Sequence, residues 1–131
     1  PHVIAVQKGT VIDFPNSDIV KHNVFSPQDC CKQFNLGTYD VGVVKQIIFD
    51  KLCVVPIQCN VHAEMSAFVA VFDNPYFAVT LKDGNFKIDN IPPGNYTLKT
   101  WHDRFESVTQ EVSVETGQIT DVNFVLKKRI K

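Results

Sequence analysis

The stretch Val54-Val55-Pro56-Ile57-Gln58-Cys59-Asn60-Val61-His62-Ala63-Glu64-Met65 joins an apolar strand pattern to a short polar loop. The loop carries Cys59, His62 and Met65 at positions i, i+3 and i+6, a spacing that lets three side chains surround one ion. Thiolate, imidazole and thioether together select copper over zinc, magnesium or calcium. A second imidazole must come from elsewhere, and His22 is the natural candidate because it opens another predicted strand. The spacing of Cys59, His62 and Met65 therefore predicts one mononuclear copper ion. With His22 as the candidate second imidazole, the thiolate and two imidazoles would form a plane and Met65 would lie along the axis.

Each of these residues also has an ordinary alternative role. A cysteine on a strand is usually a small buried hydrophobe, a methionine usually fills a core, and His62 could be a surface histidine. The combination argues for a metal, because Met65 is the only methionine in the chain. Cys59 could instead be a nucleophile with a histidine as its base. Its position on one short loop with His62 suits shared ligation better than nucleophilic attack.

Strand patterns dominate the rest of the chain, and few stretches hold a helical period. Turn signals such as Asp83-Gly84 and Pro92-Pro93-Gly94 separate the predicted strands. Residues 27–36 are predicted to be irregular. Many short strands at this spacing predict an all-β sandwich or barrel. The predicted strands cover residues 3–6, 10–14, 22–25, 43–49, 54–58, 67–72, 76–80, 86–88, 96–101, 108–114 and 121–126.

Composition narrows the class of protein further. The chain has 131 residues, of which 44% are hydrophobic and 21% charged, and its formal net charge of -1 argues against nucleic acid as a partner. No apolar run approaches the ~20 residues that a membrane-spanning helix needs. The basic run Lys127, Lys128, Arg129 and Lys131 is predicted to be a solvated tail.

Four cysteines, Cys30, Cys31, Cys53 and Cys59, are many for a chain of this size. No pair has the C-x-x-C spacing of a zinc ribbon or a thioredoxin-like site. If one of them binds a metal, the other three can form one disulfide and leave one thiol. This pattern favours an oxidising compartment over the cytosol.

The segment 9–18, the run His22-Asn23-Val24-Phe25-Ser26 and the Cys59-x-x-His62-x-x-Met65 loop resemble the cupredoxins, such as plastocyanin and amicyanin. The resemblance extends to bacterial plastocyanin-like proteins, some of them methylamine-utilisation proteins. Farther on, Asp83-Gly84-x-Phe86-x-Ile88 and Ile91-Pro92-Pro93-Gly94-x-Tyr96-x-Leu98 are similar to carboxypeptidase-regulatory-like or transthyretin-like β modules. The resemblance implies a Greek-key cupredoxin sandwich over residues 1–72. It also implies a small second β-sandwich unit over 73–131, packed against the first.

The resemblance also implies roles for individual residues. His22, Cys59 and His62 would be equatorial copper ligands and Met65 the axial one, while Asn23 would tie the ligand loop to the cysteine loop. Relatives usually have glycine at position 53, and both Cys53 and the pair Cys30-Cys31 would lie away from the copper end. We therefore expect a disulfide from Cys53 to either Cys30 or Cys31.

A protein of this kind is expected to be a blue (type 1) copper carrier of single electrons, located in the periplasm or otherwise outside the cytoplasm. Its partner would be a cytochrome or an oxidoreductase, and the chain itself would not be an enzyme. A second hypothesis is a copper-binding structural or assembly subunit of a larger redox complex. A third is a copper-storage or copper-delivery protein, against which the single methionine counts. His102, which follows Trp101, is predicted to be a surface histidine at a strand end; the alternatives are a second metal ligand or a contact with a partner.

Overall fold

The computed structural model describes residues 2–16, 22–27, 30–59 and 66–130. The strands in these ranges are β1 (Val3–Gln7), β2 (Thr10–Pro15), β3 (His22–Phe25), β4 (Asn35–Tyr39), β5 (Val44–Phe49), β6 (Val54–Cys59), β7 (Ser66–Phe72), β8 (Gly94–Lys99) and β9 (Thr109–Val114). The prediction of an all-β chain is confirmed. No helix among these residues is long and apolar enough to cross a bilayer.

The chain divides by its internal contacts into a first unit, residues 1–88, and a second unit, residues 89–131. The first unit contains a five-stranded sheet in the order β1-β7-β6-β3-β4 and a two-stranded sheet of β2 and β5. Strands β1 and β7 run parallel, and the other neighbours are antiparallel. The predicted boundary between residues 72 and 73 stays a prediction.

The core of the first unit lies between these two sheets. In β5, Ile47 and Phe49 alternate with exposed neighbours, as expected for a strand with one buried face. Val55 on β6 and Val69 on β7 come from the larger sheet, and together with Phe49 they are no more than 2% exposed. Two sheets that share one buried cluster form the β-sandwich that the sequence predicts.

Strand β4 was not predicted, because residues 27–36 lack a strand pattern and Gly37 interrupts the next few residues. The strand forms by pairing with β3, in which His22 opposes Tyr39 and Phe25 opposes Asn35. Between the pairs Asn23–Thr38 and Phe25–Asn35, β3 advances by two residues and β4 by three, so the ladder contains a β-bulge. Gly37 has a φ of 69°, a left-handed conformation that a side chain disfavours.

The disulfide joins Cys31 to Cys53, which confirms one of the two predicted pairings. It ties the loop between β3 and β4 to the turn before β6. Because β6 runs from Val54 to Cys59, Cys53 and Cys59 are separated by roughly 20 Å along the strand. Cys30 and Cys59 are left as thiols.

Removing this disulfide is expected to lower the free energy of unfolding measurably. The bridge closes a loop with a sequence separation of 22 residues, and the chain-entropy model assigns such a loop about 3 kcal/mol. Cys53→Ser should therefore lose about 3 kcal/mol in urea denaturation under oxidising conditions. Cys30→Ser, which leaves the bridge in place, is the matched control and should stay much closer to the parent protein.

The second unit is built on the antiparallel pair β8-β9, whose register runs from Gly94 opposite Val114 to Lys99 opposite Thr109. Its basic C-terminal run is held by backbone pairing. Phe105 forms an isolated bridge with Lys128, and the Arg129 amide donates to the Arg104 carbonyl at 2.8 Å. The side chains of residues 127–129 remain exposed, as a solvated segment would be.

Three predicted strands of the later chain, residues 76–80, 86–88 and 121–126, are not strands in the structure. The predicted turn between the first two does form, with the Gly84 amide donating to the Leu81 carbonyl at 2.9 Å. Residues 121–126 also alternate between exposed and half-buried, as the sequence pattern suggests. An alternating sequence pattern indicates that one face of a segment is buried. A β-strand also needs backbone hydrogen bonds to an adjacent strand. The described backbone has no ladder at these positions.

Candidate metal centre

Cys59 is the last residue of β6, on the side of the strand that faces the core. Val55, Ile57 and Cys59 line one face of β6 because side chains two residues apart share a face. Val55 is fully buried and Ile57 packs against the core cluster. The half-buried Cys59 thiol therefore lies at the end of the sandwich interior.

The backbone brings His22 to the same end of the larger sheet. Val24 on β3 is in register with Cys59, and Phe25 is in register with Gln58. His22 is two residues from Val24, so its backbone is about 7 Å along β3 from the Val24–Cys59 pair. Asn23, between them, is half-buried and in register with Thr38. The antiparallel register thus places the first residue of β3 beside the last residue of β6.

The remaining predicted ligands, His62 and Met65, lie in residues 60–65, outside the described residues. The His22 side chain is also outside them, although its backbone is described. Among the side chains that the structure does describe, no three His, Cys, Asp or Glu residues cluster as a metal site. The structure thus places one predicted donor atom, the Cys59 sulfur, and the backbone that carries a second.

Tyr39, which the sequence did not single out, braces this end of the sandwich. It is in register with His22, and its side chain is only 6% exposed. Its hydroxyl donates to the Phe14 carbonyl of β2 at 2.9 Å, which links the larger sheet to the smaller one. The buried Asn16 Nδ2 donates to the Tyr39 carbonyl at 2.8 Å, which adds a second link. The sequence did not indicate this role of Tyr39, because β4 was not predicted as a strand. The bulge at Gly37 interrupts the alternating pattern by which a strand is normally recognised.

The pKa of Tyr39 is raised by two effects, one of which involves Cys59. Burial raises the pKa of the Tyr39 phenol, because a phenolate loses hydration inside the protein. The negative charge of the Cys59 thiolate raises the same pKa further. The two side chains therefore occupy the same end of the interior.

Tyr39→Phe tests this brace in the metal-free protein. The substitution removes the hydrogen bond to Phe14 and should cost about 1 kcal/mol of unfolding free energy at neutral pH. In the parent, the folded-state pKa lies above the unfolded value of about 10. The stability that this phenol contributes is therefore present below about pH 10 and is lost as pH rises through the raised pKa.

The measurement is urea denaturation of parent and variant between neutral and alkaline pH. The variant should lack the alkaline loss that Tyr39 causes. Tyr76→Phe is the matched control, because Tyr76 is 38% exposed and its hydroxyl loss should change stability by no more than about 0.5 kcal/mol. Equal behaviour of the two variants would contradict a bracing role for Tyr39.

His102 lies in the second unit and has local contacts. Its Nδ1 accepts a hydrogen bond from the Arg104 amide at 2.9 Å and lies 3.3 Å from Asp103 Oδ1. Its ring packs edge-on against Phe105, with 4.6 Å between ring centroids. One ring nitrogen is thus already occupied by the backbone of its own loop.

Comparison with protein families finds one match within the chain. Residues 65–127 match the carboxypeptidase regulatory-like domain. The matched segment begins just before β7 and continues through both strands of the second unit. Comparison with proteins of curated function finds no match.

Solved structures similar to the chain include three copper or cupredoxin proteins. The copper-containing nitrite reductase of Thermus scotoductus has a TM-score of 0.51 and 19% identity, over 56% of this chain and 20% of the reductase. A purple cupredoxin from Nitrosopumilus maritimus has a TM-score of 0.49 and 24% identity, over 54% of this chain and 78% of that one. A reduced variant of amicyanin has a TM-score of 0.48 and 18% identity, over 53% and 69%.

At these identities the likeness shows the fold alone, and the chain spans only about a fifth of the nitrite reductase. The two-sheet topology of the first unit agrees with it. The first unit is therefore a Greek-key β-sandwich of the cupredoxin type, and residues 65–127, which include its strand β7, match the carboxypeptidase regulatory-like domain.

Proposed function

We propose that this chain is a blue (type 1) copper protein that carries one electron at a time to or from a cytochrome or an oxidoreductase. One observation carries the proposal. Cys59 is a half-buried thiol at the core-facing end of β6, in register with β3 two residues from His22. Copper-protein folds among the similar structures are consistent with this assignment.

The residues at this end fit the proposed metal. The disulfide joins Cys31 to Cys53, so Cys59 is a thiol, the soft donor that copper prefers. In the sequence, His62 and Met65 follow Cys59 by three and six residues, and His22 would supply the second imidazole. These four donors would hold one copper ion. When bound, it would supply a Cu(I)/Cu(II) couple for one-electron transfer.

The protein contributes rigidity and shielding around the thiolate. Strand β6 lies between β3 and β7. Cys59 itself is in register with Val24 of β3, and the preceding Gln58 is paired on both sides, with Phe25 and Ser66. On the other side of β3, the hydrogen bond from Tyr39 to Phe14 links β4 to β2. Half-burial of Cys59 limits water around the sulfur, and a site that cannot relax exchanges electrons with little rearrangement. By the cupredoxin resemblance, His62 would be nearest the surface and would pass the electron, while Asn23 would orient the cysteine loop.

An extracytoplasmic location, periplasmic in a bacterium, belongs to the same proposal. The Cys31–Cys53 disulfide supports it, because structural disulfides persist in oxidising compartments. Four protein ligands would leave no open position for a substrate, so we propose a carrier rather than an enzyme. A storage or delivery protein would release its metal on a change of oxidation state, which distinguishes it from a carrier.

Repeated redox cycling of the copper-loaded protein tests the carrier function. The protein would be reduced with ascorbate, reoxidised with ferricyanide and passed through a desalting column after each cycle. A carrier is expected to take up and return one electron per copper over several cycles while its copper content stays constant. Progressive loss of copper in the reduced state would contradict the carrier and favour delivery or storage.

A further inference from the structure

Three cysteines lie together at the end of β6 opposite Cys59. Cys31 and Cys53 form the disulfide, and Cys30, the preceding residue in the chain, is a thiol. Cys30 and Cys53 both pack against the same core cluster, which includes Phe49 and Val55. The Cys30 thiol is therefore adjacent in the chain to one disulfide sulfur and packs against the same core cluster as the other, Cys53.

Chain geometry limits the separation between Cys30 and Cys53. The Cα atoms of Cys31 and Cys53 are 6.6 Å apart, and consecutive Cα atoms are about 3.8 Å apart. The Cα atoms of Cys30 and Cys53 are thus at most about 10 Å apart, and a disulfide spans about 4.4–6.8 Å. A shift of a few ångströms in one loop residue brings the second pair into bonding range.

The loop is anchored at both ends, so such a shift would stay local. The buried Ser26 forms two hydrogen bonds with Phe34. Its amide donates to the Phe34 carbonyl, and its side-chain Oγ accepts from the Phe34 amide, both at 2.9 Å. Lys32 Nζ lies 3.5 Å from Asp50 Oδ1, which holds the loop near the turn that contains Cys53. Residues 30–32 themselves form a bend without strand pairing.

The two possible partners differ in exposure. Cys30 is half-buried, and its thiol donates to the Lys32 carbonyl at 2.9 Å, whereas Cys31 is exposed. The loops closed by the two pairings differ by one residue, so their chain-entropy contributions are nearly equal. A change from the Cys31–Cys53 to the Cys30–Cys53 disulfide would replace the half-buried Cys30 thiol by an exposed Cys31 thiol.

We propose that Cys30 exchanges with the Cys31–Cys53 disulfide and thereby presents Cys31 as a surface thiol. The Cys30 thiolate attacks the Cys53 sulfur, a Cys30–Cys53 bond forms, and the Cys31–Cys53 bond breaks. Cys31 leaves as a thiolate and takes up the proton that Cys30 gave to solvent. The step consumes no oxidant or reductant. It would make the Cys31 position a site where another thiol or disulfide reacts with the folded protein.

Native-state alkylation tests the exchange. The oxidised protein would be incubated with iodoacetamide at pH 8 without denaturant, digested without reduction and mapped by tandem mass spectrometry. The fragmentation distinguishes label on Cys30 from label on the adjacent Cys31. We expect time-dependent labelling of Cys31 together with a Cys30–Cys53 linked peptide, and faster labelling at higher pH because the thiolate is the attacking species.

Cys30→Ser is the matched control, because it removes the attacking sulfur and keeps the Cys31–Cys53 bridge. Labelling of Cys31 should disappear in this variant. Label confined to Cys30 in the parent protein, or Cys31 labelled equally in the parent and in Cys30→Ser, would overturn the proposal. In addition, oxidised Cys31→Ser should contain a Cys30–Cys53 bridge, and three remaining thiols in a folded Cys31→Ser protein would also overturn it.

Discussion

Cys59→Ser is expected to abolish the intense red absorption of the Cu(II)-loaded protein. In the proposed site this band arises from charge transfer between the Cys59 thiolate and copper, and a serine hydroxyl is a hard, weakly binding replacement. The effect is expected to be an essentially complete loss rather than a shift. The measurement is a visible spectrum of parent and variant after addition of one equivalent of Cu(II), with copper content determined on the same samples.

Cys30→Ser provides a matched control for this spectrum. Cys30 is also a half-buried thiol outside the disulfide, but it lies at the opposite end of β6. Its replacement should leave the red band unchanged. A band that survives Cys59→Ser, or that disappears in Cys30→Ser, would mean that the copper thiolate had been assigned to the wrong cysteine.

Phe49→Ala is expected to be the most destabilising single substitution in the first unit that leaves all predicted ligands intact. Phe49 is 1% exposed, and its ring meets the Phe34 ring edge-on with 6.2 Å between centroids. Truncating a buried phenylalanine costs about 3–5 kcal/mol, because apolar contacts are lost and a cavity remains. Native domains are stable by only about 5–15 kcal/mol, so much of the total stability should disappear.

Ile48→Ala is the control for Phe49→Ala, since Ile48 is the preceding residue on β5 and points to the opposite face. It is 48% exposed, and its truncation should cost at most about 1 kcal/mol, mainly through strand propensity. Urea denaturation of both variants gives the comparison. Similar losses for Phe49 and Ile48 would contradict the two-sheet core.

The strands around the candidate site could be predicted from sequence because each has a clear local pattern. Residues 22–25 and 54–58 alternate or form short apolar runs between turn signals, and they match β3 and β6 closely. Strand β4 could not be predicted in this way. Its pairing with β3 is a long-range interaction, and the Gly37 bulge hides it locally. The role of Tyr39 as a brace was missed for the same reason.

In the second unit, sequence patterns and structure agree on β8 and β9 but not on the third predicted strand, residues 121–126. Residues 121–126 have the alternation of a strand, with Phe124 half-buried and Val125 85% exposed. In the described chain these residues are not assigned to a strand ladder, and no local sequence pattern shows whether a second strand will lie alongside. The disulfide illustrates a related limit. Sequence narrowed it to two pairings, and only the position of the loop distinguishes Cys31 from Cys30.

The copper assignment can be tested in one step by the visible spectrum of the parent protein after addition of one equivalent of Cu(II). A site built from His22, Cys59, His62 and Met65 predicts an intense absorption in the red that disappears on reduction with ascorbate and returns on reoxidation. A protein that binds Cu(II) and stays colourless would contradict the central claim that this chain holds a blue copper centre.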